Sequence, residues 1–242
     1  MSDIQLEVHD GIAVVSINRP ERLNAFRRST YDELLAVASR LDRERSWHGL
    51  VLTGAGRAFC AGQDLAEIPD GNIQRIELEP LIGRLQDITR ELARSAKPTV
   101  AAINGPAIGF GLECTLALDL RLANATAYFM LPELSRGLFH TNGTYHYLAQ
   151  LVGRGLASDM ILTGRRIDAE EALRAGLVTR LTPVDELLPR AIEAAVQLAA
   201  LDTCALAFAK EGLRMAGGGT LEEGLQFETS ACLTLLTRGT AR

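Results

Sequence analysis

Thr99-Val100-Ala101-Ala102-Ile103-Asn104-Gly105-Pro106-Ala107-Ile108-Gly109-Phe110-Gly111-Leu112-Glu113-Cys114 is the stretch whose reading decides the fold. Its first five residues have the short, apolar, β-branched character of a fully buried strand. Asn104-Gly105-Pro106 ends that strand. A glycine-rich turn follows, and then a helix expected to run to about Ala117, carrying Glu113 into apolar surroundings. Leu50-Val51-Leu52-Thr53-Gly54 repeats the pattern, leading into Ala55-Gly56-Arg57-Ala58-Phe59-Cys60-Ala61-Gly62-Gln63-Asp64-Leu65. Buried strands feeding glycine turns and helices are the units of an α/β fold. Glycines at such turns let backbone N–H groups point into a cavity, and a helix start adds positive dipole. Two loops of this kind can converge on one oxygen, each donor being worth roughly 3 kcal/mol at a transition state. Neither loop ends in the Gly-Lys-Ser/Thr of a phosphate-binding loop, and Gly109-x-Gly111 lacks the third glycine of a dinucleotide fingerprint. Taken singly, each reads as ordinary turn glycine.

Outward from these loops, strands are predicted at Ile4–Val8 and Ile12–Ile17 around the turn signal Asp10-Gly11. Thr30 and Glu33 have capping-box spacing ahead of a helical stripe of Tyr31, Leu34, Leu35, Ala38 and Leu41. A loop containing Pro69-Asp70-Gly71 precedes a helix expected over Pro80–Arg94. Leu120–Ala123 and Tyr128–Met130 read as short strands. From Thr144 the chain reads as helical, interrupted at Gly153, Gly164, a strand over Leu177–Leu181, and Gly217-Gly218-Gly219. Leu188, Ile192, Ala195, Val196 and Ala199 form a clear helical stripe. With no low-complexity tract or long linker, residues 1–242 are expected to form one domain: a core to about residue 190 and a helical region over about 191–242.

The 242 residues are 47% apolar with mean hydropathy +0.08, enough for a sizeable core. The net charge of −5, without a basic cluster, argues against nucleic acid as a partner. No apolar run approaches the roughly 18 residues that span a bilayer, and the N-terminus lacks the basic and apolar regions of a signal peptide. No membrane association and a cytoplasmic location are therefore expected. Cys60, Cys114, Cys204 and Cys232 show no metal-ligand spacing and read as free thiols. Cys60 and Cys114 read as small packing residues rather than nucleophiles. No metal is expected.

Two acids stand apart. Glu113 lies in Gly109-Phe110-Gly111-Leu112-Glu113-Cys114 and Glu133 in Tyr128-Phe129-Met130-Leu131-Pro132-Glu133-Leu134. Burying a carboxylate is costly unless it is paired or put to work. Two such groups are the usual equipment of general acid–base chemistry, because burial tunes each toward neutral pH. The bland alternative for either is a structural salt bridge.

In combination these segments resemble the crotonase superfamily of enoyl-CoA hydratases and isomerases. Leu50–Gly54 with Ala58-Phe59-Cys60-Ala61-Gly62-Gln63-Asp64-Leu65 is similar to its first oxyanion segment, and Lys97-Pro98-Thr99 through Glu113 to its second. Leu23-Asn24-Ala25 and Leu162-Thr163-Gly164, Ala169-Glu170-Glu171-Ala172 and Gly176-Leu177-Val178 are similar to further signatures, over about Leu6 to Phe227. The resemblance implies a spiral of repeated β-β-α units with a helical C-terminal trimerisation region, assembled as a homotrimer or homohexamer. It implies an acyl-CoA thioester substrate, with CoA part of the substrate and no separate cofactor. The thioester oxygen would accept from the backbone N–H of Gln63 and Phe110. Ala61, Asp64 and Leu65 would line the pantetheine path, with Arg22, Leu23 and Ala25 near the nucleotide end. Glu113 and Glu133 match the two glutamates of the family's hydratases, implying that Glu113 handles the water and Glu133 serves Cα.

Three departures from the family pattern stand out. Phe110 replaces the glycine usual in hydratases. Gly137-Leu138-Phe139-His140-Thr141-Asn142-Gly143 puts His140 where a proline is usual, with Thr141 and Asn142 beside the expected acyl pocket. The sequence ends at Arg242, short of a terminal segment that commonly helps cover the site. His140 reads as a hydrogen-bonded wall residue, with a second acid–base role as the alternative. Dienoyl-CoA isomerases of the family carry aspartate at the position of Thr141, which disfavours that reaction. The expected activity is reversible hydration of a 2-enoyl-CoA. The alternatives are Δ3-Δ2 isomerisation on Glu133 alone, an RNA-binding relative, disfavoured by charge, and a catalytically inert member, disfavoured by the two glutamates.

Overall fold

The computed structural model describes residues 2–67 and 75–238, so the turn expected at Pro69-Asp70-Gly71 lies outside the described residues. Strands β1 (Ile4–His9) and β2 (Ile12–Ile17) form an antiparallel hairpin. Asp10 and Gly11 turn it with φ of 51° and 77°, the left-handed pair that a tight hairpin requires. The chain then enters α1 (Arg28–Arg40), β3 (Gly49–Gly54) and α2 (Arg75–Arg94).

Beyond α2 the order is β4 (Thr99–Ile103), β5 (Ala107–Ile108), α3 (Phe110–Leu116), β6 (Leu120–Asn124) and β7 (Tyr128–Met130). Then come α4 (Thr144–Thr163), β8 (Ile167–Asp168), α5 (Ala169–Arg174), β9 (Arg180–Thr182) and the helices α6 (Leu187–Ala199), α7 (Thr203–Ala216) and α8 (Leu221–Thr237).

Six strands form one sheet in the order β1-β2-β3-β4-β6-β9, and β5-β7-β8 form a smaller one. Consecutive strands alternate between them: β4 and β6 enter the large sheet, while β5 and β7 enter the small one, each pair followed by a helix. That alternation is the expected β-β-α repeat. Central strands β3 and β4 pair in parallel and are buried throughout, which accounts for their unbroken apolar sequence. Their side chains divide by strict alternation. Val51, Val100 and Ala102 meet Leu187, Ala191 and Ala195 of α6, while Leu50, Leu52, Ala101 and Ile103 enter the main core.

Three local expectations differ from the structure. The Thr30/Glu33 capping box does not form, because α1 begins earlier, with Arg27 at its N-cap. Tertiary partners claim both side chains: Thr30 Oγ1 donates to Asp3 at 2.6 Å, and Glu33 accepts the Ile4 N–H at 2.9 Å. Pro80 lies inside α2 rather than at its start. The strand expected over Leu177–Leu181 forms only at Arg180–Thr182, since the Leu177 carbonyl is taken by the buried Arg121 guanidinium at 2.7 Å. The division at residue 190 falls within α6, which packs on the sheet. Among the described residues no single helix is long and apolar enough to cross a membrane, and α6 and α7, which pass that test only together, meet at 108°.

Candidate active site

The two glycine loops are bonded to each other. Cys60 N–H donates to the Pro106 carbonyl at 3.0 Å, and Ile108 N–H donates to Cys60 at 2.9 Å. Contact is close enough that a Cβ on Gly111 would overlap the Cys60 carbonyl. This clamp leaves the N–H groups of Gln63 and Phe110 without a hydrogen-bond partner among the described residues. Phe110 opens α3, where an N–H has no acceptor within the helix. Both residues line a cavity of about 380 Å³, together with Ala61, Leu65, Glu113, Glu133 and Thr141. That volume suits a small-molecule ligand.

Helix α3 carries Glu113 into the protein interior, leaving it 3% exposed. Both oxygens are held: Asn142 Nδ2 donates to Oε2 and Thr144 Oγ1 to Oε1, each at 2.7 Å. Burial raises the Glu113 carboxyl above the ordinary range. The Asn142 and Thr144 bonds oppose that rise, the nearby Glu133 adds to it, and His140 counters it.

Glu133 begins a short 3-10 turn, Glu133–Arg136, immediately after β7 and Pro132. Gly109 packs against it with φ 54° and ψ −124°, and a Cβ there would overlap Glu133 Oε1. The backbone conformation calls for glycine, and any Cβ here would also push the Glu133 carboxylate aside. Glu133 Oε2 faces His140 Nε2 at 2.9 Å. Carboxylate oxygens of Glu113 and Glu133 and a ring nitrogen of His140 all lie within 4.8 Å of one another.

Phe110 plays two parts. Its ring packs at 4.9 Å from Phe26 and 4.8 Å from Tyr31, and it also walls the cavity. Leu81, Leu85, Leu138 and Phe139 complete an apolar lining. His140 does not line the cavity; it is 4% exposed and sits behind Glu133. Leu23 and Ala25 lie outside the lining and back it, the Leu23 carbonyl accepting from Ala61 N–H at 2.9 Å. Arg22 is exposed at the end of the turn Pro20–Arg22. Asp64 pairs with Arg19 at 3.2 Å, fixing the first loop from behind. Cys60 is fully buried, and burial pushes its thiol up to about 12 against the hydrogen bond from Gly62. It stays protonated at neutral pH, in keeping with a packing role.

Sequence reasoning placed Asn142 beside the acyl pocket and did not see Thr144. Their signal was faint: two small polar residues flanking Gly143 at the start of a helix, holding a glutamate some thirty residues earlier.

Residues 7–237 match the family model described as enoyl-CoA hydratase/isomerase. A probable enoyl-CoA hydratase of Mycobacterium bovis is 33% identical over 225 residues, which is 93% of this chain and 86% of the relative. A crystal structure titled as an enoyl-CoA hydratase subunit from Geobacillus kaustophilus superposes with TM-score 0.91 at 32% identity, covering 98% of this chain and 91% of the other. A monofunctional enoyl-CoA isomerase from M. smegmatis superposes with TM-score 0.80 at 32% identity, covering 93% and 99%.

Proposed function

Since this chain belongs to the enoyl-CoA hydratase/isomerase family, we propose that it catalyses reversible addition of water to a 2-enoyl-CoA thioester. The observation that carries this reading is the pairing of two glutamates, Glu113 and Glu133, on one cavity with two free backbone donors.

The thioester oxygen accepts from Gln63 and Phe110 N–H. These donors gain strength as negative charge collects on that oxygen, so they favour the enolate-like transition state over bound substrate. Glu113 takes a proton from water as its oxygen bonds to Cβ. Asn142 and Thr144 orient the carboxylate for that task. Glu133 supplies the proton that closes the Cα–H bond, so the net change is H and OH added across the double bond. Ala61 and Leu65 follow the pantetheine arm, on a loop that the Asp64–Arg19 pair fixes from behind, with Arg22, Leu23 and Ala25 toward the nucleotide. CoA arrives as part of the substrate, and the chemistry calls for no further cofactor.

Δ3-Δ2 isomerisation is the second reading. It is favoured by the direct contact of Glu133 with a titratable neighbour, His140, since isomerisation needs only one group that takes and returns a proton. A panel of 2-enoyl- and 3-enoyl-CoA thioesters separates the two readings. Loss of the conjugated thioester absorbance on adding 2-enoyl-CoA is expected. Conversion of 3-enoyl-CoA without any hydration would replace hydratase by isomerase.

The C-terminal helices support assembly as a homotrimer or homohexamer. Leu213, Leu221 and Leu236 are each more than half exposed, around a hollow between α7 and α8 walled by Phe208 and Phe227. An apolar surface of this extent is ordinarily covered. Light scattering is expected to give a mass of three or six chains; a monomer at micromolar concentration would remove the proposal.

A further inference from the structure

His140 is a buried titratable group that the mechanism above leaves unused. Its side chain has no exposure, and that of Glu133 has 16%. His140 Nε2 and Glu133 Oε2 are 2.9 Å apart, and neither atom has another hydrogen-bond partner among the described residues. Two lone pairs cannot face each other at that distance in a buried site, so the contact is tenable only with a proton between them. The other ring nitrogen, Nδ1, lies 3.3 Å from the Tyr145 hydroxyl, which leaves the imidazole free to carry one proton or two.

The groups facing His140 come from three elements: Glu133 on its 3-10 turn, Glu113 on α3 and Tyr145 on α4. Burial alone would lower the imidazole. The Glu133 and Glu113 carboxylates beside it outweigh burial and raise it above its ordinary 6.5.

We propose that His140 is a positioning residue that stores the proton Glu133 delivers to Cα. The inference rests on the acyl-CoA reading of the site and applies to its hydration reaction. In hydration, the Nε2–H bond breaks as an O–H bond forms on Glu133, turning imidazolium and carboxylate into imidazole and carboxylic acid. Glu133 then gives that proton to Cα and returns to carboxylate. Meanwhile Glu113 holds the proton taken from water. Acceptor atoms of the three side chains lie within 4.8 Å of one another, a gap that one water molecule bridges, and through such a water that proton returns to His140 and the cycle closes. A proline at this position, as in the family pattern, leaves the second glutamate to hold its own proton.

The test is kcat and KM of His140→Gln against pH, with the unaltered enzyme alongside. Glutamine retains a donor toward Glu133 but stores no titratable proton. The basic limb of kcat is expected to move to lower pH, with at least about a tenfold loss at pH 8, little loss near pH 6, and KM within about twofold. A profile of unchanged shape, whether or not scaled down uniformly, would overturn the assignment and leave the hydratase reading standing. If the unaltered protein neither hydrates nor isomerises enoyl-CoA, the functional reading falls and the proton store with it. Should the variant fail to fold, NMR titration of the unaltered protein decides. The other three histidines, His9, His48 and His146, are exposed and can be assigned by substitution. His140 is expected to hold its proton above pH 6.5, and a midpoint below that would overturn the proposal.

Discussion

Glu133→Gln is expected to lower turnover by about a hundredfold or more in both hydration and isomerisation, with KM little changed. Glutamine keeps the shape of the side chain and its fit against Gly109, but it cannot give a proton to Cα or take one away. The Gln63 and Phe110 donors are untouched, because they belong to loops clamped through Cys60, Pro106 and Ile108. Binding of the thioester therefore survives while chemistry fails, which separates this variant from a folding defect. Steady-state kinetics on 2-enoyl- and 3-enoyl-CoA check it. Turnover close to that of the parent on either substrate would remove Glu133 from that reaction.

Glu113→Gln should divide the two activities. Hydration needs a base for water and is expected to fall by roughly a hundredfold or more, while any isomerisation carried by Glu133 remains within a few-fold. The pH dependence is part of the expectation. Burial raises Glu113, so its carboxylate form, the competent base, is lost on acidification at a pH above the ordinary 4.5. The acid limb of kcat/KM for hydration should lie correspondingly high.

The same rise has a consequence for stability. A carboxyl raised in the folded state contributes stability below its unfolded value and loses it as pH climbs through the folded one. At neutral pH the charged Glu113 is therefore a cost, which Gln removes. The variant should melt no lower than the parent at pH 7, by differential scanning calorimetry, even as hydration collapses. A lower melting temperature together with parallel loss of both activities would mean that Glu113 is structural.

Much of the fold could be read from the chain because the decisive patterns were local. Leu50–Gly54 and Thr99–Ile103 are apolar on both faces and short, which only a strand covered on both sides explains. Asp10-Gly11 announced its hairpin through a conformation that few residue pairs adopt. The failures came where polar side chains had distant suitors. Thr30 and Glu33 bond to Asp3 and Ile4 rather than capping each other, and Arg121 reaches across to Leu177 and delays the strand to Arg180. Spacing rules do not see such partners.

The site divides the same way. Glu113 and Glu133 were visible as carboxylates in apolar sequence, and the glycine loops as places where backbone N–H groups go unpaired. Sequence by itself thus determined the α/β repeat, the family, and which two acids stand in apolar surroundings, since each depends on residue type and short-range order. Tertiary structure alone decided what the neighbours do. It bent Phe110 into a cluster with Phe26 and Tyr31, brought Asn142 and Thr144 onto Glu113, and set His140 against Glu133 rather than in the cavity wall. Burial and distance between segments far apart in the chain create those relations, and they determine how each acid holds its proton.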